Sequence, residues 1–415
     1  MKFILNGGKN MFLVKFLFFM LFLFPTAAKA DLFSLTLSQG SHSATKGFTS
    51  VLDVFDSYND GKLDTILSGY DTSAAATGIL DFRGIRMILD YTGAGSNSTL
   101  RFRIDSLGID KDFGGTGFTQ EQAFSAFKEY LKTNKDNLLT RILKESVSNT
   151  PYDSVAGNPS SLMSQMADMA FSNPTMTVTE RAVVSGQSGG FVLLSPSGGR
   201  HKVKGTDGVE RDATTLNLPL GYMFKFDNNW ALGIDMPLSY VDMDGSKTYA
   251  AQLGLSLQIP LYQDKWLLTV SGRAGATASE DSLSGGVLYM ASAASRFTQG
   301  LGENTAVTLV NMFGIIKDYT LDVKGYEVEY GLKNNVFKNG LELRQKLSEK
   351  TALTVFGYDT RYTGSDLYID SYDEVGFRFT KYFSKDSFFA GVDLTASYTF
   401  GDNYKAYNVG LSFLF

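Results

Sequence analysis

From Arg211 to the C terminus, apolar and polar residues alternate with a period of two, stretch after stretch. Leu216, Leu218, Leu220, Tyr222, Phe224 and Phe226 share one face, opposite Asn217, Pro219, Gly221 and Lys225. Trp230, Leu232, Ile234, Met236, Leu238 and Tyr240 repeat this against Ala231, Gly233, Asp235 and Ser239. Tyr249 to Leu261, Trp266 to Ala276 and Phe388 to Phe400 do the same. In a β-strand, successive side chains point to opposite faces, so this spacing reads as strand. A soluble sandwich would bury the apolar face in a core. Here the opposite face is small and polar on one strand after another, and the apolar face ends in aromatic residues. Lipid outside and a wet lumen account for both halves of the pattern. Only a closed barrel leaves no unpaired backbone in hydrocarbon. The expected fold is an all-β transmembrane antiparallel barrel.

The last eight residues sharpen this. Asn408, Gly410, Phe413 and Phe415 place a polar residue, a glycine and two aromatics at alternate positions, ending on Phe-Leu-Phe. This resembles the C-terminal assembly signal of Gram-negative outer-membrane β-barrel proteins. The resemblance implies outer-membrane lipid and the barrel-assembly machinery as partners, and the cell outer membrane as the location.

The N-terminal end agrees. Lys2, Lys9 and Lys15 precede the apolar run Phe16 to Pro25, and Ala28-Lys29-Ala30 forms an A-x-A cleavage site. Residues 1–30 read as a signal peptide for export. The chain has no cysteine, so no disulfide is available to the exported protein. A formal net charge of −5 offers no basic footprint for nucleic acid. Mean hydropathy is −0.07, as expected where apolar residues are dispersed by alternation and not gathered into spanning helices.

Residues 31–112 read as a small polar N-terminal domain. Stretches 79–92 and 99–107 alternate as two strands of a hairpin around the turn Gly93 to Ser98. Asp56, Asp60 and Gly61 do not complete a calcium loop, because Tyr58 and Leu67 stand where oxygen ligands are needed. His42 has no partner carboxylate or cysteine nearby in sequence and reads as a surface residue. Residues 113–175 read as a helical plug or linker. Thr119 and Gln122 form a capping box ahead of Phe124, Phe127 and Leu131 at helical spacing. A second helical stretch runs from Leu138 to about Val147. Asn158-Pro159 marks a third start, followed by the stripe Leu162, Met163, Met166 and Met169. These helices either pack on the hairpin domain or enter the barrel.

Residues 176–415 then form the barrel. Counting back from Phe415 gives about 12 strands, the first near 190–197, with both ends on the periplasmic side. Short polar connections at 227–229, 263–265, 348–350 and 384–386 read as periplasmic turns. Longer ones near 198–212, 279–284, 318–334 and 364–368 read as extracellular. Trp230 and Trp266 begin strands after short turns, where an aromatic girdle belongs. Lumen candidates carry both signs: Lys225, Asp235, Arg273, Arg378 and Asp393. They either line a polar path or pair across the lumen.

A barrel of this size preceded by helix is architecturally similar to autotransporter-type translocators. That resemblance implies an upstream domain exported as cargo, and it transfers no residues beyond the C-terminal signal. Two functions fit: a pore or transporter for an unknown solute or exported chain, plugged by helices within 119–171, or a translocator or adhesin displaying the N-terminal domain. No catalytic, cofactor or metal site is indicated. The barrel's one histidine, His201, comes with no nucleophile motif.

Overall fold

The computed structural model describes residues 33–414, apart from 49–52, 55–56, 58–61, 93–94, 134, 173–188, 207, 263–264, 280–283, 324–325 and 384–390. The segment 1–30, Phe415, the residues Asp56, Asp60 and Gly61, and the stretch 175–184, whose sequence offers one more barrel strand, lie outside the described residues.

The N-terminal region builds a six-stranded antiparallel sheet. Its strands are β1 (Phe33–Gln39), β2 (His42–Phe48), β3 (Ala76–Phe82), β4 (Ile85–Thr92), β5 (Thr99–Ile104) and β6 (Ile109–Gly114), in the order β2-β1-β3-β4-β5-β6. The expected hairpin is present as β4–β5, but the stretch read as one strand over 79–92 is two. Arg83 and Gly84 both adopt positive φ, 53° and 91°. That is the tight hairpin geometry whose twist matches the flanking strands. Arg-Gly is a weak signal for it, so the turn was hidden within continuous alternation.

One face of this sheet carries Phe33, Leu35, Leu37, Leu80, Leu100 and Phe102, all buried. Two helices cover it. Helix α1 (Gln120–Lys132) begins with the expected capping box: the Gln122 N–H donates to Thr119 Oγ1, and the Thr119 N–H donates to Gln122 Oε1. Its Phe127 ring packs on Phe102 with centroids 4.6 Å apart. Helix α2 (Leu138–Asn149) adds Leu138 and Ile142 to the same core.

The barrel is closed. Strands β7 (Gly189–Leu194) and β8 (Ser197–Lys204) are two halves of the first barrel strand, broken at Ser195-Pro196. Proline has no N–H for the ladder, which is why the strand kinks there. Then follow β9 (Glu210–Lys225), β10 (Ala231–Met243), β11 (Ser246–Tyr262), β12 (Trp266–Ser279), β13 (Ser284–Gly300) and β14 (Thr305–Tyr319). A small hairpin, β15 (Leu321–Val323) and β16 (Tyr326–Val328), stands apart from the wall. The wall continues with β17 (Lys333–Ser348), β18 (Thr351–Gly364), β19 (Ser371–Tyr382), β20 (Gly391–Gly401) and β21 (Tyr404–Leu414). Each pairs antiparallel with the next, and β21 returns to pair with β7 and β8. With β7 and β8 as one strand, the described residues form a twelve-stranded ring.

Gly189 and Leu414 lie at one end, here the termini end. The other is the domain end. The domain end has connections 205–209, 244–245, 280–283, 320–332, 365–370 and 402–403. Connection length sorts the two ends less well than expected. Most of 198–212 is strand, and Asp244-Gly245, with φ of 49° and 91°, is a two-residue turn at the domain end.

Alternation turns Leu232, Ile234 and Met236 outwards and exposes them, while Asp235 between them is 4% exposed. Aromatics collect at both rims of this apolar band. Tyr240, Tyr249, Tyr319 and Tyr407 lie towards the domain end, and Trp230 and Trp266 at the termini end. Trp230 and Tyr240 are ten residues apart in sequence, and a tilted strand converts that into a band roughly 25 Å tall, the height of an apolar lipid-facing belt.

Candidate functional site

The site is the lumen, and a helix of the same chain occupies it. The segment Leu162–Ser172 contains Leu162, Met163, Met166, Ala167, Ala170 and Phe171, with Asp168 its one charge. A helix apolar around most of its circumference must be surrounded by protein. Helix α3 (Leu162–Ser172) is surrounded by the inner wall: it packs against β11, β12, β13, β14 and β17. Helix α1 stays on the N-terminal sheet, and α2 lies between the two cores, with Leu138 and Ile142 on the sheet and Leu143 and Val147 in the cluster around α3; α3 is the one described helix packed along the inner wall.

The wall is shaped to receive it. A Cβ at Gly275 would come within 2.9 Å of Leu162 Cδ1 and 3.2 Å of Met166 Sδ. A Cβ at Gly340 would meet Phe171 at 2.9 Å. Glycine at both positions lets the helix seat directly against backbone. Met163 and Met166 fill the remaining irregular space, as unbranched side chains do.

The helix begins at 162 and not at Pro159, because Asn158 braces a turn first. Asn158 Oδ1 accepts from the Ser160 N–H at 2.9 Å, and its amide donates to the Asp153 carbonyl at 2.7 Å. This turn sits at the domain end. The Tyr368 and Ile369 N–H groups donate to the carbonyls of Val147 and Gly157 at 2.9 and 3.1 Å, tying the 365–370 connection across it.

Polar contacts then hold the helix to the wall. Lys338 Nζ donates to Asp168 Oδ1 at 2.6 Å. Lys338 is 2% exposed and its ammonium lies over the rings of Phe171 and Tyr358, at 5.1 and 5.7 Å. Ser239 donates to Gln165 Oε1 at 2.7 Å, and Tyr362 donates to Ser164 Oγ at 3.3 Å.

The five charged lumen candidates all face inwards, and the structure brings some together. Arg273 binds Asp235 bidentately, at 2.6 and 3.1 Å, so this pair bridges wall strands. Arg378 and Asp393 line a polar cavity of about 40 Å³ towards the termini end, with Arg296, Glu342 and Arg344. Arg296 donates to Glu342 at 2.9 Å, Tyr358 donates to the same carboxylate at 2.8 Å, and Arg344 donates to the Tyr382 hydroxyl at 2.6 Å. Lys225 is buried near the termini end, apart from these clusters. His201 is also buried and shares a hydrogen bond with the Tyr404 hydroxyl. His42 is exposed.

Trp230 and Trp266 are exposed on the outer surface at the termini end, and Trp266 Nε1 donates to Ser295 Oγ at 2.8 Å. Asn408 lies in β21, its amide 3.4 Å from Thr399 Oγ1, and Gly410 packs beside Ser197 at the seam between last and first strands.

Sequence reasoning missed Asp168 and Lys338. The available signal was one carboxylate within an apolar helical stripe and one lysine at an inward strand position.

No protein-family model matches the chain, and a search of curated proteins finds no match. Among solved structures, it is similar to the translocator domain of the autotransporter NalP from Neisseria meningitidis, at 16% identity and a TM-score of 0.47 over 61% of this chain and 96% of that one. It is similar to the transport unit of the autotransporter AIDA-I from Escherichia coli, at 15% identity and a TM-score of 0.40 over 60% and 96%. The KdgM porin matches at 8% identity and a TM-score of 0.34 over 53% and 98%. The fold is that of an outer-membrane β-barrel. The closed ring and its apolar outer face carry that conclusion.

Proposed function

We propose that the barrel anchors the N-terminal domain on the outside of the outer membrane, with the lumen sealed by the segment that connects the two. One observation carries this. Helix α3 enters at the end where the N-terminal domain sits and ends at Ser172 inside the lumen, while the first barrel strand begins at Gly189, at the opposite end. Among the described residues, the chain thus enters the lumen at the domain end and resumes as barrel wall at the termini end. In an outer-membrane barrel with an even number of strands, both strand termini face the periplasm. That orientation puts the N-terminal domain outside, as the cargo of its own barrel. It is a translocator-like arrangement with a display or adhesive role and no catalytic step. Outer-membrane lipid and the barrel-assembly machinery are its partners, and residues 1–30 are the export signal.

An open pore for solutes would need α3 displaced. Displacing α3 from the five wall strands it packs against would break the Asp168–Lys338 contact.

Orientation is tested by cysteine labelling, which the cysteine-free chain makes clean. Thr72→Cys reports the N-terminal domain and Asp227→Cys the termini end; both positions are exposed. A membrane-impermeant maleimide should label Thr72→Cys on intact cells and Asp227→Cys only after the outer membrane is permeabilised. The reverse result would overturn the proposal.

A further inference from the structure

The seam between the last and first strands gathers more cations than carboxylates on its outer face. Lys202 of β8 and Lys405 of β21 are directly opposed in register. Both are exposed, on the outer surface, because His201, Val203, Tyr404 and Ala406 beside them are buried. Like charges directly opposite on neighbouring strands are destabilising. Arg200 and Lys204 lie on the same outer face of β8, so four cations gather there.

The acidic residues nearby balance them only in part: Asp212 and Glu210 stand opposite Lys202 and Lys204 in register on β9, two carboxylates for four cations. Arg200 pairs with Asp212 at 3.3 Å and Lys202 with Glu210 at 2.5 Å. Lys204 and Lys405 form no ion pair among the described residues. On its other side, Lys405 stands opposite Phe400 in register.

Directly towards the termini end on the same face lies an apolar surface. Tyr407 is 67% exposed, and its ring lies 4.9 Å from that of Tyr398. Val409 and Leu394 continue the surface, and Phe400 flanks Lys405 at the rim, all three exposed. Cations sit at the rim and aromatic and aliphatic side chains below them, in the order that an amphiphile presents its headgroup and chains.

We propose that this seam binds the phosphorylated headgroup of a membrane lipid in the leaflet at the domain end. The phosphate lies across Lys202 and Lys405, with Arg200 and Lys204 beside it, and the acyl chains lie along Tyr407 and Val409. A bound dianion turns the repulsion between the two ammonium groups into a shared attraction. The apolar surface selects a lipid over free phosphate. Assigning the lipid to the outer leaflet rests on the orientation proposed above; the headgroup site itself does not.

The test uses the full barrel protein in neutral detergent micelles doped with bisphosphorylated lipid A or its dephosphorylated form, read by native mass spectrometry. The wild type should retain the phosphorylated lipid and not the dephosphorylated one. The double variant Lys202→Gln, Lys405→Gln should lose retention roughly 30-fold, the weight of about two surface cations on an anionic headgroup. Lys405→Arg should keep it. Heat-modifiable gel mobility confirms that each variant is a folded barrel. Equal retention of both lipids, unchanged retention by the folded double variant, or full displacement by millimolar inorganic phosphate would each overturn the proposal. Because micelles have no sidedness, a failed labelling experiment with successful lipid retention faults the orientation alone.

Discussion

Arg83 and Asp153 face each other at 3.4 Å with neither side chain reached by solvent. Arg83 lies in the β3–β4 turn of the N-terminal domain, and Asp153 in the turn that leads into the lumen helix. The Tyr330 hydroxyl, from the 320–332 connection, donates to the same carboxylate at 3.3 Å, and Ser146 of α2 does so at 3.4 Å. Three elements thus converge on the carboxylate of a fourth, at the place where domain, plug and barrel meet.

Removing one partner of a buried pair strands the other charge. Arg83→Met should lower stability by about 3–5 kcal/mol and loosen the domain from the barrel mouth. Thermal unfolding reads the first effect, and faster protease cleavage between α2 and α3 reads the second. A variant as stable and as protease-resistant as wild type would show that the pair does not join the two parts.

The same node sets a pH dependence. Burial pushes the Asp153 carboxyl above the usual carboxylate range, and this outweighs the opposing guanidinium of Arg83. Arg83 Nε and Nη2 have no hydrogen-bond partner among the described residues, which leaves the ion pair incompletely satisfied. A carboxyl whose pKa is raised on folding contributes stability that is full below its unfolded value, near 3.9, and is lost as pH rises through the folded value. Docking should therefore tighten as pH falls from neutrality towards 4. Hydrogen exchange in residues 150–161 should slow over that range, and Asp153→Asn should flatten the response.

Asp168 contributes to sealing. Asp168→Asn leaves the Lys338 ammonium buried without its carboxylate. The seat of α3 should weaken by about 1–3 kcal/mol, the cost of an under-satisfied buried polar group. Planar-bilayer recordings should show brief conductance steps absent from the wild type. Asp168→Glu should stay closed.

Gly157 is constrained by backbone. Its φ is +89°, and a Cβ there would lie 2.4 Å from the Val147 carbonyl oxygen. That oxygen also accepts from the Tyr368 N–H. Gly157→Ala combines a left-handed backbone with a clash, and should lower stability by about 1–3 kcal/mol. Thermal melting would check this, with Gly208→Ala, also at positive φ but free of close neighbours, as the milder comparison.

Much of this molecule was written in its sequence. A period of two leaves each strand one apolar face, and a one-residue slip would reverse it, so alternation alone dictated the barrel wall and which side chains face inwards. Asp235 and Arg273 were both recognisable as inward residues. The capping box likewise announced α1, because its two hydrogen bonds are local. What tertiary structure decided was contact between distant elements. A helical stripe says which face is apolar and not what covers it, so α1 on the sheet, α2 between sheet and barrel, and α3 in the lumen could not be told apart. Lys338 meets Asp168 across 170 residues of chain, and Arg83 meets Asp153 across 70. Such pairs leave no periodic trace, because they depend on which strand closes the ring beside which, and that is set only when the chain folds back on itself.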